Sequence, residues 1–116
     1  MSETDKASGT EPYGQGTTDL INRLFDQGIE RVTLLMRHSA REFNPAINDL
    51  LNPLTDEGRH LSRNFGDRLP VNLFVKGYAS PPDRCMETAQ LVLDSLQTKG
   101  VTLPPVRPLE GLGVFY

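Results

Sequence analysis

Val32-Thr33-Leu34-Leu35-Met36 is a nearly continuous apolar run that ends abruptly in Arg37-His38. A strand with one wet face alternates apolar and polar residues; an unbroken run instead suits a parallel strand buried on both faces. Arg37 and His38 then fall at that strand's carboxyl end, where open α/β sheets bind their ligands. These seven residues set the class of fold expected for the rest.

Upstream, Thr18-Asp19-Leu20-Ile21-Asn22-Arg23-Leu24-Phe25 predicts a short helix, with Thr17 or Thr18 as its cap and Gly28 as its stop. Residues 1–16 are polar, without an apolar period, and predict a disordered tail ahead of a single domain over 17–116. Downstream, Pro53-Leu54-Thr55 opens a second helix. Thr55 is its expected cap, Asp56 and Glu57 favour its first-turn dipole, and Leu61, Phe65 and Leu69 share a face. Gly58 lies near that face and would permit close approach to a sheet.

Leu73-Phe74-Val75-Lys76-Gly77-Tyr78-Ala79 predicts a second strand. Ser80-Pro81-Pro82-Asp83 resembles a capping box with proline at the first helical position. The helix it opens carries Met86, Ala89, Leu93 and Leu96 at helical spacing and stops near Gly100. The segment 101–109 is extended, and its three prolines confine it to an edge strand or a loop. The alternation of helix and strand predicts an α/β fold: a three-layer, mostly parallel sheet with helices on both faces.

Composition narrows the setting. The 116 residues carry a net charge of −3, which gives no electrostatic footprint for nucleic acid. No apolar run is long enough to span a bilayer, and the amino-terminal residues hold no signal-peptide core. Cys85 is the only cysteine, so an intrachain disulfide is impossible and a cytoplasmic setting is expected.

Two polar clusters stand at strand carboxyl ends: Arg37-His38 after the first, and Ser80 to Arg84 after the second. A lone histidine or arginine is usually structural. Both together, beside a helix amino terminus, would build an anion pocket with a nucleophile in it. Cys85 lacks the arginine placement of a cysteine phosphatase and reads as a packed, inert thiol; His60 reads as a surface histidine.

At these residues the chain resembles the histidine phosphatase superfamily, in its phosphoglycerate mutase-like branch. Leu35-Met36-Arg37-His38 is similar to the family's Arg-His signature. Pro53-Leu54-Thr55-Asp56-Glu57-Gly58 is similar to its Leu-Thr-x-x-Gly helix start. Ala79-Ser80-Pro81-Pro82-Asp83-Arg84 with Thr88-Ala89 is similar to its Ser-Pro-x-x-Arg…Thr-Ala segment. The resemblance implies that His38 attacks phosphorus and carries the phosphoryl group, while Arg37 and Arg84 bind the equatorial oxygens and stabilise developing charge. It implies that Asn44 contacts phosphate and that Glu110 protonates the leaving oxygen and later deprotonates water. For Arg41 two readings stand, a further phosphate ligand or an exposed loop arginine; for Glu110 the other reading is a solvated loop carboxylate.

The chain departs from the family in three places, one of them the segment between His38 and Pro53, which is shorter than in typical mutases, lacks their Gln-Gly and favours a simpler phosphatase. Ser39 stands where the signature usually has glycine. The only histidines are His38 and His60, so the family's second catalytic histidine has no counterpart, and a truncated domain is expected. The leading expectation is that the intact parent is a phosphomonoester hydrolase working through phosphohistidine on a small-molecule or phosphoprotein substrate, without cofactor or metal, and that this chain, lacking the second histidine, is weakened or inactive. The alternative is a phosphate-binding or phospholigand-binding module of the same fold. A third reading, in which Arg37, His38 and Arg84 are unrelated surface groups, must treat three ordered motifs as coincidence.

Overall fold

The computed structural model describes residues 13–71, 73–101 and 103–112, and the chain is α/β. Helix α1 is Gln15–Asp26, α2 is Asp56–Asp67 and α3 is Asp83–Gln97. Strands β1, Tyr78–Ala79, and β2, Arg107–Pro108, form a two-stranded parallel sheet. Single 3-10 turns cover Asp49–Leu51 and Glu110–Leu112. Among the described residues no helix is long and apolar enough to cross a membrane.

Helix α1 starts earlier than its threonines suggest. Gly14, at φ 71°, occupies the cap position, and Gln15 and Gly16 form the first turn rather than the end of a tail. The rest of the expected tail, residues 1–12, lies outside the described residues. Thr18 is inside the helix and buried; its hydroxyl donates back to the Gln15 carbonyl at 3.1 Å and accepts from Nη1 of Arg68 at 3.0 Å. Asn22 donates to the Arg68 carbonyl at 3.1 Å, so α1 docks on the carboxyl end of α2. Gly28, at φ 91°, follows the Gln27 C-cap and ends the helix as expected.

Helix α2 follows its sequence closely. Thr55 caps it, the hydroxyl accepting from the Gly58 amide at 2.9 Å, and Phe65 is buried on the inner face. Gly58 does permit a close approach, but to the Ala40 carbonyl rather than to a sheet: a Cβ there would collide with that oxygen. Gly66 does the same for the Val92 carbonyl of α3. The α2–α3 contact is further fixed by Ser95 Oγ donating to the Arg63 carbonyl at 2.8 Å and by an Arg59–Glu87 ion pair at 2.8 Å.

Helix α3 lacks the expected serine cap. Pro82 holds the cap position with no side-chain cap bond, and its carbonyl accepts from the amides of Cys85 and Met86. A second proline in Pro81-Pro82 leaves one fewer amide to satisfy, so the turn closes without the Ser80 hydroxyl. The helix buries Leu93 and Leu96 against Ala79, Leu103 and Val106, with Met86, Ala89 and Cys85 packed around them. Each fully buried aliphatic side chain of this kind contributes about 1.5–3 kcal/mol.

The sheet is smaller than the sequence suggests. Only Tyr78 and Ala79 of the expected strand 73–79 enter the ladder, paired with Arg107 and Pro108. Arg107 and Leu109 donate to the carbonyls of Gly77 and Ala79, so Pro108 occupies the one position that needs no amide hydrogen. Residues 32–36 have no strand partner among the described residues; Leu34 is 38% and Leu35 81% exposed. The three-layer arrangement expected from this run is therefore not built by the described residues. Apolar composition makes burial favourable, but burial of a strand needs lateral partners, and the β1–β2 ladder does not reach this segment.

A pinched loop connects the Arg37-His38 segment to α2. The amide of Glu42 donates to the Pro53 carbonyl at 2.8 Å and that of Thr55 to the Ala40 carbonyl at 3.0 Å, with Arg41 bridged antiparallel to Leu54. Residues 43–52 leave and return through this narrow base.

Candidate active site

Parallel pairing places the carboxyl ends of β1 and β2 at one edge of the sheet. The 80–84 turn that leads into α3 and the 110–112 turn that carries Glu110 both emerge there. The Arg37-His38 segment reaches α3 by a separate route. The Ser39 amide donates to Thr88 Oγ1 at 3.0 Å, and Thr88 Oγ1 donates to the Arg84 carbonyl at 2.7 Å. Ser39 is buried, and its hydroxyl has no partner.

His38 is half-buried, and its Nδ1 lies 2.8 Å from the Ser39 carbonyl. A carbonyl oxygen only accepts, so Nδ1 carries the hydrogen and the neutral ring keeps its lone pair on Nε2. Arg37 is exposed, with all its guanidinium donors available to an anion.

Arg84 sits in the first turn of α3 and is buried at 8% exposure. Its Nη1 donates to the carbonyls of Asp49 at 2.5 Å and Asn52 at 3.5 Å, and its Nη2 to Asp49 Oδ2 at 3.4 Å. Its Nε is buried without a partner. Arg41 reaches the same carboxylate from the other side, Nη1 to Asp49 Oδ1 at 2.8 Å, and its guanidinium lies 5.5 Å from the Phe43 ring. Arg41 is thus neither a bare loop arginine nor remote from Arg84.

Asn44 belongs to the same turn. Its amide donates to Asn52 Oδ1 at 2.9 Å, and its own Oδ1 accepts from the Ala46 amide at 3.0 Å. Asn52 also donates from Nδ2 to Asp49 Oδ1 at 3.2 Å. The structure therefore gathers Arg84, Arg41 and Asn44 around Asp49 and Asn52, ties the residue after His38 to Arg84 through Thr88, and leaves Arg37 facing solvent. Glu110 is exposed at the shared sheet edge. His60 is exposed on α2, and Cys85 packs against the core, as expected of each.

Thr88, already part of the third motif, organises this site together with Asp49 and Asn52, which did not stand out in the sequence. Asp49 and Asn52 are spaced as in a turn, and Asn52 precedes proline, which disfavours helix there. That signal marks the turn. It says nothing of Arg84, which is 35 positions away. Among titrating groups, Arg59 is held above its ordinary pKa, first by its hydrogen bond to Glu87 and then by the charge of that carboxylate.

The α/β chain ties its histidine segment, through Thr88, to an arginine-bearing helix start that follows a strand end, and a histidine flanked by arginines suits phosphatase-type chemistry. Residues 33–112 match the family model described as histidine phosphatase superfamily (branch 1), and the chain belongs to that family. No curated protein and no solved structure matches the chain.

Proposed function

We propose that this site hydrolyses phosphomonoesters through a phosphohistidine at His38. The observation that carries the proposal is the hydrogen bond from Nδ1 to the Ser39 carbonyl, which fixes the tautomer and aims a lone pair out of Nε2. Nε2 attacks phosphorus and a P–N bond forms as the P–O bond to the leaving group breaks. Glu110 gives its proton to the departing oxygen. Water then attacks the phosphohistidine while Glu110 takes back a proton; the P–N bond breaks and its electron pair returns to Nε2.

Arg37 and Arg84 neutralise charge on the equatorial oxygens, which is the larger part of what phosphoryl transfer requires. Asn44 and Arg41 extend the phosphate cradle from the pinched loop. The substrate is a small phosphomonoester or a phosphoprotein. The lone, unpaired Cys85 supports a cytoplasmic setting. The exposed side chains of Leu34, Leu35 and Phe74 support segment 32–36 as a strand of a three-layer sheet in the family domain.

One observation favours a second reading, a phospholigand-binding module. The sequence holds two histidines, and His60 is exposed on α2, outside the hydrogen bonds that gather Arg84, Arg41 and Asn44. The test is phosphoryl labelling of the chain with a small phosphodonor such as phosphoramidate. A mass increase of one acid-labile phosphoryl group, absent from His38→Ala, supports the phosphohistidine. A chain that binds phosphate yet never labels supports the binding module.

A further inference from the structure

The Asp49 carboxylate divides its two oxygens between two guanidinium groups, Oδ1 to Arg41 at 2.8 Å and Oδ2 to Arg84 at 3.4 Å. Two acceptor oxygens on one atom, gripped by two cationic forks, is also the way a phosphoryl group is held. We propose that Asp49 is an internal counter-anion, which a phosphoryl group must displace from Arg84 and Arg41. It thereby sets the affinity and charge selectivity of the site. The inference rests on the reading of these arginines as phosphate ligands, and it assigns to the loop a residue that opposes binding.

Three observations support displacement rather than permanent pairing. The Asp49 side chain is 54% exposed, so it stands at the mouth of the cluster and regains water when it leaves. Its contact with the buried Arg84 is the longer of the two, whereas the main-chain carbonyl of Asp49 holds Nη1 of that guanidinium at 2.5 Å. Arg84 therefore keeps an anchor when the carboxylate swings away. The buried Nε of Arg84 has no acceptor, so the resident carboxylate leaves donor capacity unused. An ion pair exposed to this degree is worth less than a factor of about five, within reach of a multiply charged ligand.

The charge balance gives the selectivity. With Asp49 in place the two arginines retain a single net positive charge, and an incoming anion meets a carboxylate as well as two cations. Removing the carboxylate favours the more highly charged anion.

The test is calorimetric titration of the 116-residue chain with inorganic phosphate at low ionic strength, for the parent, Asp49→Asn, Asp49→Glu, Arg84→Gln and the Asp49→Asn/Arg84→Gln pair. Asp49→Asn is expected to bind phosphate about threefold to tenfold tighter. Asp49→Glu should stay near the parent, and the gain should fall in the Arg84→Gln background, where only Arg41 is left to be freed, and shrink as salt is added. Asp49→Ser, also uncharged and turn-compatible, must show the same tightening if Asp49→Asn does not fold. Phosphate binding by the uncharged variants that is no tighter than the parent's, or absent in both, overturns the inference. A gain that Arg84→Gln leaves undiminished overturns it too. Labelling at His38 is scored separately: tightening without label leaves Asp49 its role and removes the hydrolase, whereas label without tightening does the reverse.

Discussion

The amide of Ser39 donates to the hydroxyl of Thr88 at 3.0 Å, and that hydroxyl donates onward to the carbonyl of Arg84 at 2.7 Å. One side chain on α3 thus joins the residue beside His38 to the turn that presents Arg84. Thr88 is buried, so neither bond has water as a substitute. Thr88→Val keeps the shape and removes the hydroxyl, leaving the Ser39 amide without its acceptor. Its expected cost is about 1–3 kcal/mol in urea unfolding, whereas Thr88→Ser costs less because the bonds survive.

Asn52 plays the corresponding part in the pinched loop. It is 2% exposed, accepts from the Asn44 amide and donates to Asp49. Asn52→Ala should destabilise the protein by about 1–3 kcal/mol, the range for leaving buried polar groups unsatisfied. Hydrogen exchange at the Asn44 amide should accelerate in this variant; unchanged exchange there would show that the loop is held by other contacts.

Two glycines separate steric need from helix propensity. Gly58 faces the Ala40 carbonyl with no room for a Cβ, while nothing lies within 4 Å of a Cβ at Gly16 in α1. Gly58→Ala is expected to cost about 1–3 kcal/mol through forced backbone shifts. Gly16→Ala is expected to stabilise by roughly 0.4–1 kcal/mol, because alanine fits this first-turn position and restricts the unfolded chain. Thermal midpoints of the two variants should move in opposite directions.

Leu96 and Leu35 are the same residue in opposite environments, at 0% and 81% exposure. Leu96→Ala should cost about 2–5 kcal/mol, because it opens a cavity in the α3 core. Leu35→Ala should stay within about 0.5 kcal/mol, as for other surface positions. A large loss at Leu35 in chemical denaturation would mean that segment 32–36 is packed in solution, as its composition led us to expect.

Local signals carried most of what the sequence made legible. Thr55 could be read as a cap because its partner, the Gly58 amide, is three residues away. The Met86-Ala89-Leu93-Leu96 face could be read because helical spacing alone determines it. Pro108 at a ladder position needing no donor follows from proline chemistry. The failures are where a choice depends on distant groups. Nothing near residues 32–36 says whether a strand partner is present, and nothing near Gly14 or Pro82 shows that each takes the cap position from a threonine or serine a few residues away. In the site, His38, Arg84, Arg41 and Asn44 were singled out as candidates. Asp49, which links two of them, was not, because a loop aspartate acquires its meaning only when the chain folds back 35 positions onto Arg84.

The narrow base of the 43–52 loop, where Glu42 meets Pro53 and Ala40 meets Thr55, makes that loop a module. Its ends are held together by backbone bonds that do not depend on what lies between them, and doubling the length of a flexible loop costs only about 0.6 kcal/mol in closure entropy. Asp49 and Asn52 must stay to hold Arg84, but the other intervening residues are free to be lengthened, shortened or exchanged without disturbing the cap of α2 or the tether on Ser39. Recognition on this scaffold can diversify by swapping one cassette while the histidine and its supports stay put.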